Sequence, residues 1–149
     1  MNTGIKLPMT AEQLVPHRPP FLLVDNLVEF SGQTGVVESV IGPDNLFIAE
    51  DGQFKEIAMI EIMAQSAAAV KGYSDLIEGK EIKKGFLVEI REFNFLNTCH
   101  MGDTIHCRIE ITRSFSGFSI LNGSMKCSGK DLAFGTMKLW VPEADEEDF

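Results

Sequence analysis

The longest apolar run of the chain, residues 53–72, reads QFKEIAMIEIMAQSAAAVKG, with no proline and no glycine before its last position. From Ile57 to Val70 it is rich in Ala, Met, Glu and Gln, which favour a helix, and as a helix those residues rise about 21 Å. Apolar character on almost every side predicts a core helix rather than a surface one. Gly72 is the expected C′ residue, with Lys71 favourable in the last turn. The run is too short and too often interrupted by polar groups to cross a membrane. Glu61 and Gln65 break the pattern and, four positions apart, share one face.

Residues 10–15 predict a short helix, with Thr10 as N-cap and Gln13 completing a capping box. The three prolines of Pro16-His-Arg-Pro-Pro then impose a rigid, extended approach. Residues 21–30 and 36–41 read as two strands joined by a Gly-containing turn. After the helix come four extended runs, at 86–95, 104–115, 118–127 and 132–141. Alternation is clearest in the second, where Ile105, Cys107, Ile109 and Ile111 share one face and His106, Arg108, Glu110 and Thr112 the other. Short turns between the runs favour antiparallel neighbours. The fold class is therefore α+β: one curved antiparallel sheet of about five to six strands wrapped round a long central helix. A single sheet does not close round a helix, so a second subunit is expected on the open side. No repeat or linker divides the chain, so residues 1–142 read as one domain and 143–149 as an acidic disordered tail.

Composition narrows the partners. The formal net charge is −9, and five of the negatives lie in the terminal run Glu143, Asp145, Glu146, Glu147 and Asp148. Without a clustered basic footprint, nucleic acid is excluded as a partner. Cys99, Cys107 and Cys127 are odd in number and lack CxxC spacing, which suits reduced thiols in a cytoplasmic protein. The opening MNTGIKLPMT lacks an apolar h-region, so no signal peptide is expected. His100 and His106 with Cys99 and Cys107 have a superficially metal-like spacing. Along an alternating strand His106 and Cys107 point to opposite faces, so neither a metal site nor any cofactor is read here.

The chemistry centres on Glu61. A carboxylate in a buried helix is either a partnered structural acid, bonded to Gln65 or to loop amides, or an acid/base group in an apolar cleft. Spacing alone leaves both readings open. The methionines, Met59 among them, fit core filling or the lining of an acyl groove.

Two segments in register carry a resemblance. Pro16-His-Arg-Pro-Pro-Phe-Leu-Leu-Val-Asp resembles the PHRxPFLLVD segment of (3R)-hydroxyacyl-[acyl carrier protein] dehydratases, and Ile60-Glu-Ile-Met-Ala-Gln-Ser-Ala-Ala is similar to their helix motif. Met101-Gly-Asp-Thr resembles the turn that precedes a later strand of that family. The resemblance, which covers residues 14–141, implies the hot-dog fold, a homodimer or higher oligomer, and an acyl tunnel at the subunit interface. It also implies that a His in an HFPG segment handles the C2 proton while the helix carboxylate serves the departing hydroxyl. Glu61 stands at that carboxylate and Gln65 at the motif's Gln, but the His has no counterpart. Counting back lands on Phe47 without a gap and on Glu50 with a short deletion. The chain thus resembles a divergent, aryl-polyene-type branch of dehydratase-like proteins.

Candidate replacements for the second catalytic group are His17, in the proline-rich loop, and the carboxylates Glu50 and Asp51. The expected catalytic residues are Glu61, Glu50 and His17, with Gln65, Phe47, Asp51 and Met59 contacting the substrate. That substrate is an acyl thioester on an acyl carrier protein or coenzyme A. The alternatives are a thioesterase that uses Glu61 to activate water, and a non-catalytic acyl-binding or partner subunit. An acidic carrier needs a basic docking patch, for which Lys83, Lys84 and Arg91 are the nearest candidates.

Overall fold

The computed structural model describes residues 5–142. Its elements are β1 (Met9–Thr10), a 3₁₀ turn (Ala11–Gln13), β2 (Asn26–Ser31), β3 (Thr34–Val40), α1 (Ile57–Ile77), β4 (Phe86–Phe95), β5 (Thr104–Phe115), β6 (Phe118–Cys127) and β7 (Lys130–Trp140). The strands form one sheet in the order β1-β2-β3-β5-β6-β7-β4, every pairing antiparallel. This is the α+β, hot-dog arrangement of a long helix held by one sheet. Four strands are interrupted by register shifts, at 27/29, 87/89, 111/113 and 125/126 among others; such bulges bend a sheet.

The helix does not lie over the middle of this sheet. α1 packs chiefly against β2, β3, β5 and β6, and the β7–β4 side is left comparatively open. Met59, Ile62 and Met63 of the helix meet a core that includes Val37, Ile109 and Leu121, all at most 1% exposed. Burying each such side chain contributes about 1.5–3 kcal/mol. Gly123 lets the helix approach closely, since a Cβ there would stand 2.5 Å from Met63 Sδ. β4, by contrast, is an edge strand, with Phe86, Leu87, Val88 and Ile90 each 40% or more exposed. No helix among the described residues is long and apolar enough to cross a membrane.

Several expectations need correction. The sheet has seven strands rather than five or six, because the two-residue β1 pairs Met9 with Leu27 and Thr10 with Asn26. Residues 10–15 form only the 3₁₀ turn, and Gln13 Nε2 donates to Thr10 Oγ1 at 2.8 Å without a reciprocal backbone cap. β2 begins at Asn26, since residues 21–23 bond to the helix instead. The expected acidic tail lies outside the described residues.

The helix also continues past Gly72 to Ile77. Gly72 is buried, and a Cβ there would collide with the carbonyl oxygen of Leu14. Its role is close approach, not termination. The stop comes at Gly79, in the left-handed region at φ 73°, where Gly79 N donates to Leu76 O and Lys80 N to Asp75 O, as expected of a glycine C-cap.

Two predictions follow from this packing. Gly72→Ala improves helix propensity by about 1 kcal/mol, but the new methyl meets backbone that has no rotamer to yield. Overpacking at about 1–3 kcal/mol or more therefore wins. Urea unfolding is expected to show a net loss, and an unchanged or increased stability would refute the close-approach role.

The second prediction concerns pH. Burial pushes the Cys99 and Cys107 thiols up from the ordinary 9.0 to about 12, Ser66 opposing this at Cys107. The folded state thus favours the protonated thiols. Their contribution is complete below about pH 9 and is lost as pH climbs from about 9 towards 12. Unfolding free energy should fall as pH rises from about 9 towards 12, and fall less in a Cys99→Ala, Cys107→Ala variant. An identical fall in both proteins would refute this.

Candidate active site

One stripe of α1 is not covered by the sheet. Ile57, Ile60, Glu61, Ala64, Ala68 and Lys71 recur at three- and four-residue intervals along it, and each is exposed or half-buried. Glu61 belongs to this stripe, its side chain 44% exposed. The expectation of a deeply buried carboxylate is therefore corrected: the helix looks apolar all round because the open stripe carries alanine and isoleucine.

The proline-rich segment places a histidine opposite this carboxylate. His17 Nε2 stands 3.8 Å from Glu61 Oε1, beyond a direct hydrogen bond but within reach of one bridging or reacting group. Arg18 holds the segment in shape. Its Nη1 donates to the carbonyls of Val15 at 2.9 Å and His17 at 2.7 Å, and its Nε lies 3.5 Å from Glu12. His17 Nδ1 is buried without a hydrogen-bond partner among the described residues.

Gln65, only 1% exposed, ties the pair together. Its Oε1 accepts from Leu23 N at 2.8 Å. An amide oxygen so engaged fixes the orientation of the whole group. Nε2 must then face the other way, where it donates to Phe21 O at 2.9 Å and Glu61 Oε1 at 3.0 Å. One side chain thus fastens the 21–23 segment to the helix and steadies the carboxylate.

Behind the pair lies a cavity of about 130 Å³. His17, Glu61 and Gln65 line one end; Ala64, Ala67 and Ala68 form a floor of small side chains. The opposite wall is Leu87, Leu121 and Leu139, and the far end carries Lys71 and Lys83. The arrangement offers an acid/base pair at the end of an apolar slot.

The other expected site residues lie elsewhere. Glu50 and Asp51 are exposed on a loop closed by the bonds Ala49 N to Gln53 O and Lys55 N to Phe47 O. Asp51 Oδ1 accepts from Gln53 N at 3.0 Å. Phe47 is half-buried against the core and Met59 is wholly within it. None of these four lines the cavity with Glu61. His106 faces Glu38 at 3.4 Å, whereas Cys107 is fully buried. Among the described residues no group of three or more His, Cys, Asp or Glu gathers as a metal site. The alanine floor and leucine wall were not anticipated: the wall comes from β6, β7 and β4, which become neighbours only once the sheet is assembled, and the only sequence trace of the floor is the small-residue run on the helix.

The comparisons with known proteins agree on the fold and the family. The ApeP-like family model, described as ApeP dehydratase, matches residues 9–149. The 3-hydroxyacyl-[acyl-carrier-protein] dehydratase FabZ of Roseobacter denitrificans is 30% identical over 131 residues, 76% of this chain and 83% of that protein. FabZ of Rickettsia bellii is 30% identical over 126 residues, 78% of this chain and 83% of the relative. Among solved structures, the dehydratase heterocomplex ApeI:P from Xenorhabdus doucetiae superposes with a TM-score of 0.85 at 19% identity, covering 94% of this chain and 95% of that one. The E. coli PaaI protein superposes with a TM-score of 0.62 at 10% identity, over 76% and 80% of the two chains. At these identities the structural matches speak to the fold alone.

The Gln65 staple makes a sharp prediction. Gln65→Leu keeps the volume but leaves the buried Leu23 N–H unpaired, at about 1–3 kcal/mol, and also removes the partly buried bond to Phe21 C=O. Thermal unfolding should show a marked drop, whereas the exposed Gln13→Leu should change little. Equal stabilities for the two variants would remove the staple from the account.

Proposed function

Because the chain belongs to the ApeP-like dehydratase family, we propose that it is a dehydratase-like protein acting on (3R)-hydroxyacyl thioesters of fatty-acid or polyene-type biosynthesis. The observation that carries the assignment of residues is the approach of His17 Nε2 to Glu61 Oε1, 3.8 Å, at the mouth of an apolar slot. Dehydration takes a proton from C2, turns that C–H electron pair into the C2–C3 double bond, and breaks the C3–O bond. The hydroxyl leaves with a second proton as water. The step needs a base on the carbonyl side and a proton donor at C3. In this reading His17 takes the C2 proton and Glu61 delivers a proton to the departing hydroxyl. Gln65 supports Glu61 from behind, and the alanine-floored slot receives the acyl group. The thioester is carried by an acyl carrier protein or by coenzyme A.

A second reading keeps the binding and moves the chemistry to another chain. It draws on the exposed β4 edge and on the fold-mate described as a dehydratase heterocomplex. Here the protein pairs with a second hot-dog subunit, its own copy or a relative, across β4 and the open stripe of α1. Glu50 and Asp51, remote from Glu61 within one chain, enter a site only in such an assembly.

The decisive experiment offers a 3-hydroxyacyl thioester to the purified protein and follows both products. Dehydration gives an enoyl thioester and no free thiol; hydrolysis releases a thiol. Glu61→Gln and His17→Ala should each cost about 10²–10⁴ in rate with little change in stability, because both side chains are partly exposed. Glu50→Gln should be silent. Thiol release would favour the thioesterase. Absence of both products from the protein alone, with turnover on adding a second hot-dog subunit, would favour the partner reading.

A further inference from the structure

Four positions of the open stripe of α1 follow one another at helical spacing: Glu61, Ala64, Ala68 and Lys71. The two alanines leave space beneath the leucine wall, and Lys71, one turn further on, fills it. From Glu61 to Lys71 the helix rises about 15 Å, which sets the reach of the slot along it. Lys71 borders the slot on one side and two recesses beyond it on the other. Among the described residues no other borders all three. The larger recess is an outer cleft of about 710 Å³, against 130 Å³ for the slot. Lys71 thus stands between a small apolar chamber and a wide one.

Its side chain is held there. Lys71 Nζ donates to Asp75 Oδ1 at 2.8 Å, and Asp75 is only 6% exposed. The carbonyl of Asp75 accepts from Lys80 N at 2.8 Å, so the anchor is itself fixed at the helix end. Displacing the ammonium would leave a carboxylate buried without a partner, which is strongly unfavourable. Lys83, also at the far end of the slot, forms no ion pair among the described residues and has no such tether.

Helix stability gives no reason for the Lys71–Asp75 pair. A base four positions before an acid is the weaker orientation on a helix. An acid in the last turn also opposes the macrodipole, and α1 ends at Ile77. An arrangement that runs against local preference, at the end of a cavity, points to a role beyond folding.

An ammonium fixed across an apolar slot is a barrier to an alkyl chain, because a methyl group pressed against it displaces water and returns no hydrogen bond. A dry cavity of about 150 Å³ takes up benzene; the slot, at 130 Å³, therefore has room for about six carbon atoms. We propose that Lys71, anchored by Asp75, is the end-stop of the acyl slot and limits the substrate to a short acyl group, an inference that rests on the dehydratase-like reading above. The reacting carbons lie at His17 and Glu61, and the acyl chain runs along Ala64 and Ala68 until it meets Lys71.

The test uses the full chain and unreactive S-alkyl pantetheine thioethers with butyl, hexyl and dodecyl chains, their binding measured by calorimetry. Wild-type affinity should rise about fourfold per methylene up to hexyl and gain nothing at dodecyl. Lys71→Ala should keep butyl affinity and bind dodecyl about tenfold or more tighter than the wild type does. That variant leaves Asp75 unpaired, so Lys71→Ala with Asp75→Asn is measured beside it and should show the same shift. Lys80→Ala, which removes a cation from the outer cleft but none from the slot, should keep the wild-type profile. A purely structural pair would weaken all three ligands together. Equal loss at every chain length, an unchanged profile in both Lys71 variants, or wild-type affinity still rising through dodecyl would overturn the end-stop. So would failure of every thioether to bind. 3-Hydroxyacyl thioesters of the same lengths separate this from the catalytic reading. If the thioether profile shifts but no enoyl thioester forms, the end-stop stands and the catalytic reading fails. Dehydration with one chain-length profile in wild type and variants has the opposite meaning.

Discussion

A sheet that holds a helix from one side leaves part of the helix circumference unpaired, and the Glu61–His17 pair lies along that part. α1 is pressed onto β2, β3, β5 and β6, so its remaining stripe looks towards β7 and the exposed edge strand β4. A fully enclosed helix would have to bury a carboxylate at a cost of several kcal/mol. On the open stripe Glu61 keeps contact with solvent and still stands at the end of an apolar slot. The slot exists because the residues above it are small: Ala64, Ala67 and Ala68 leave between helix and strands the space that larger side chains would fill.

The site is fastened to the fold through Gln65. Its amide satisfies a backbone N–H and a backbone C=O of the 21–23 segment, groups whose burial without partners would be expensive. The segment so held continues directly from Pro16–Pro20, and with it His17 is set against Glu61. The third bond of the same amide goes to Glu61. Stability and site geometry are therefore coupled through one side chain. On this account the pairing of a proline-rich loop motif with a Glu-x-x-x-Gln helix motif is a physical necessity, since neither segment is placed without the other.

Much of this was legible in the chain, and the exceptions have physical causes. β4, β5 and β6 occupy the residues that alternation and Gly- or Ser-containing turns indicate. Glu61 and Gln65 were visible because they interrupt an apolar run. Gly72 was misread, because a helix glycine looks the same whether it ends the helix or admits a neighbour, and only the carbonyl of Leu14 decides. β1 escaped notice because two residues carry no period. The exposure of Glu61 was misjudged because alanine on an open stripe reads like alanine in a core. The cavity wall could not be foreseen, since Leu87, Leu121 and Leu139 meet only when β4, β6 and β7 are assembled.

The histidines show how the fold limits which groups can stand opposite Glu61. His106 stands on the outer face beside Glu38. His100 pairs with Gln53 in an isolated bridge at the base of the 47–55 loop. That loop is closed on itself and held down by Phe54 N donating to Cys99 O at 2.8 Å, so Glu50 and Asp51 point their charges to solvent rather than along α1. His17 is left as the imidazole facing Glu61 within one chain. β4 invites docking by another chain, because an edge strand with apolar side chains exposed on both faces is a liability until something covers it. The same open side that leaves Glu61 accessible to solvent thus also leaves the apolar β4 edge uncovered.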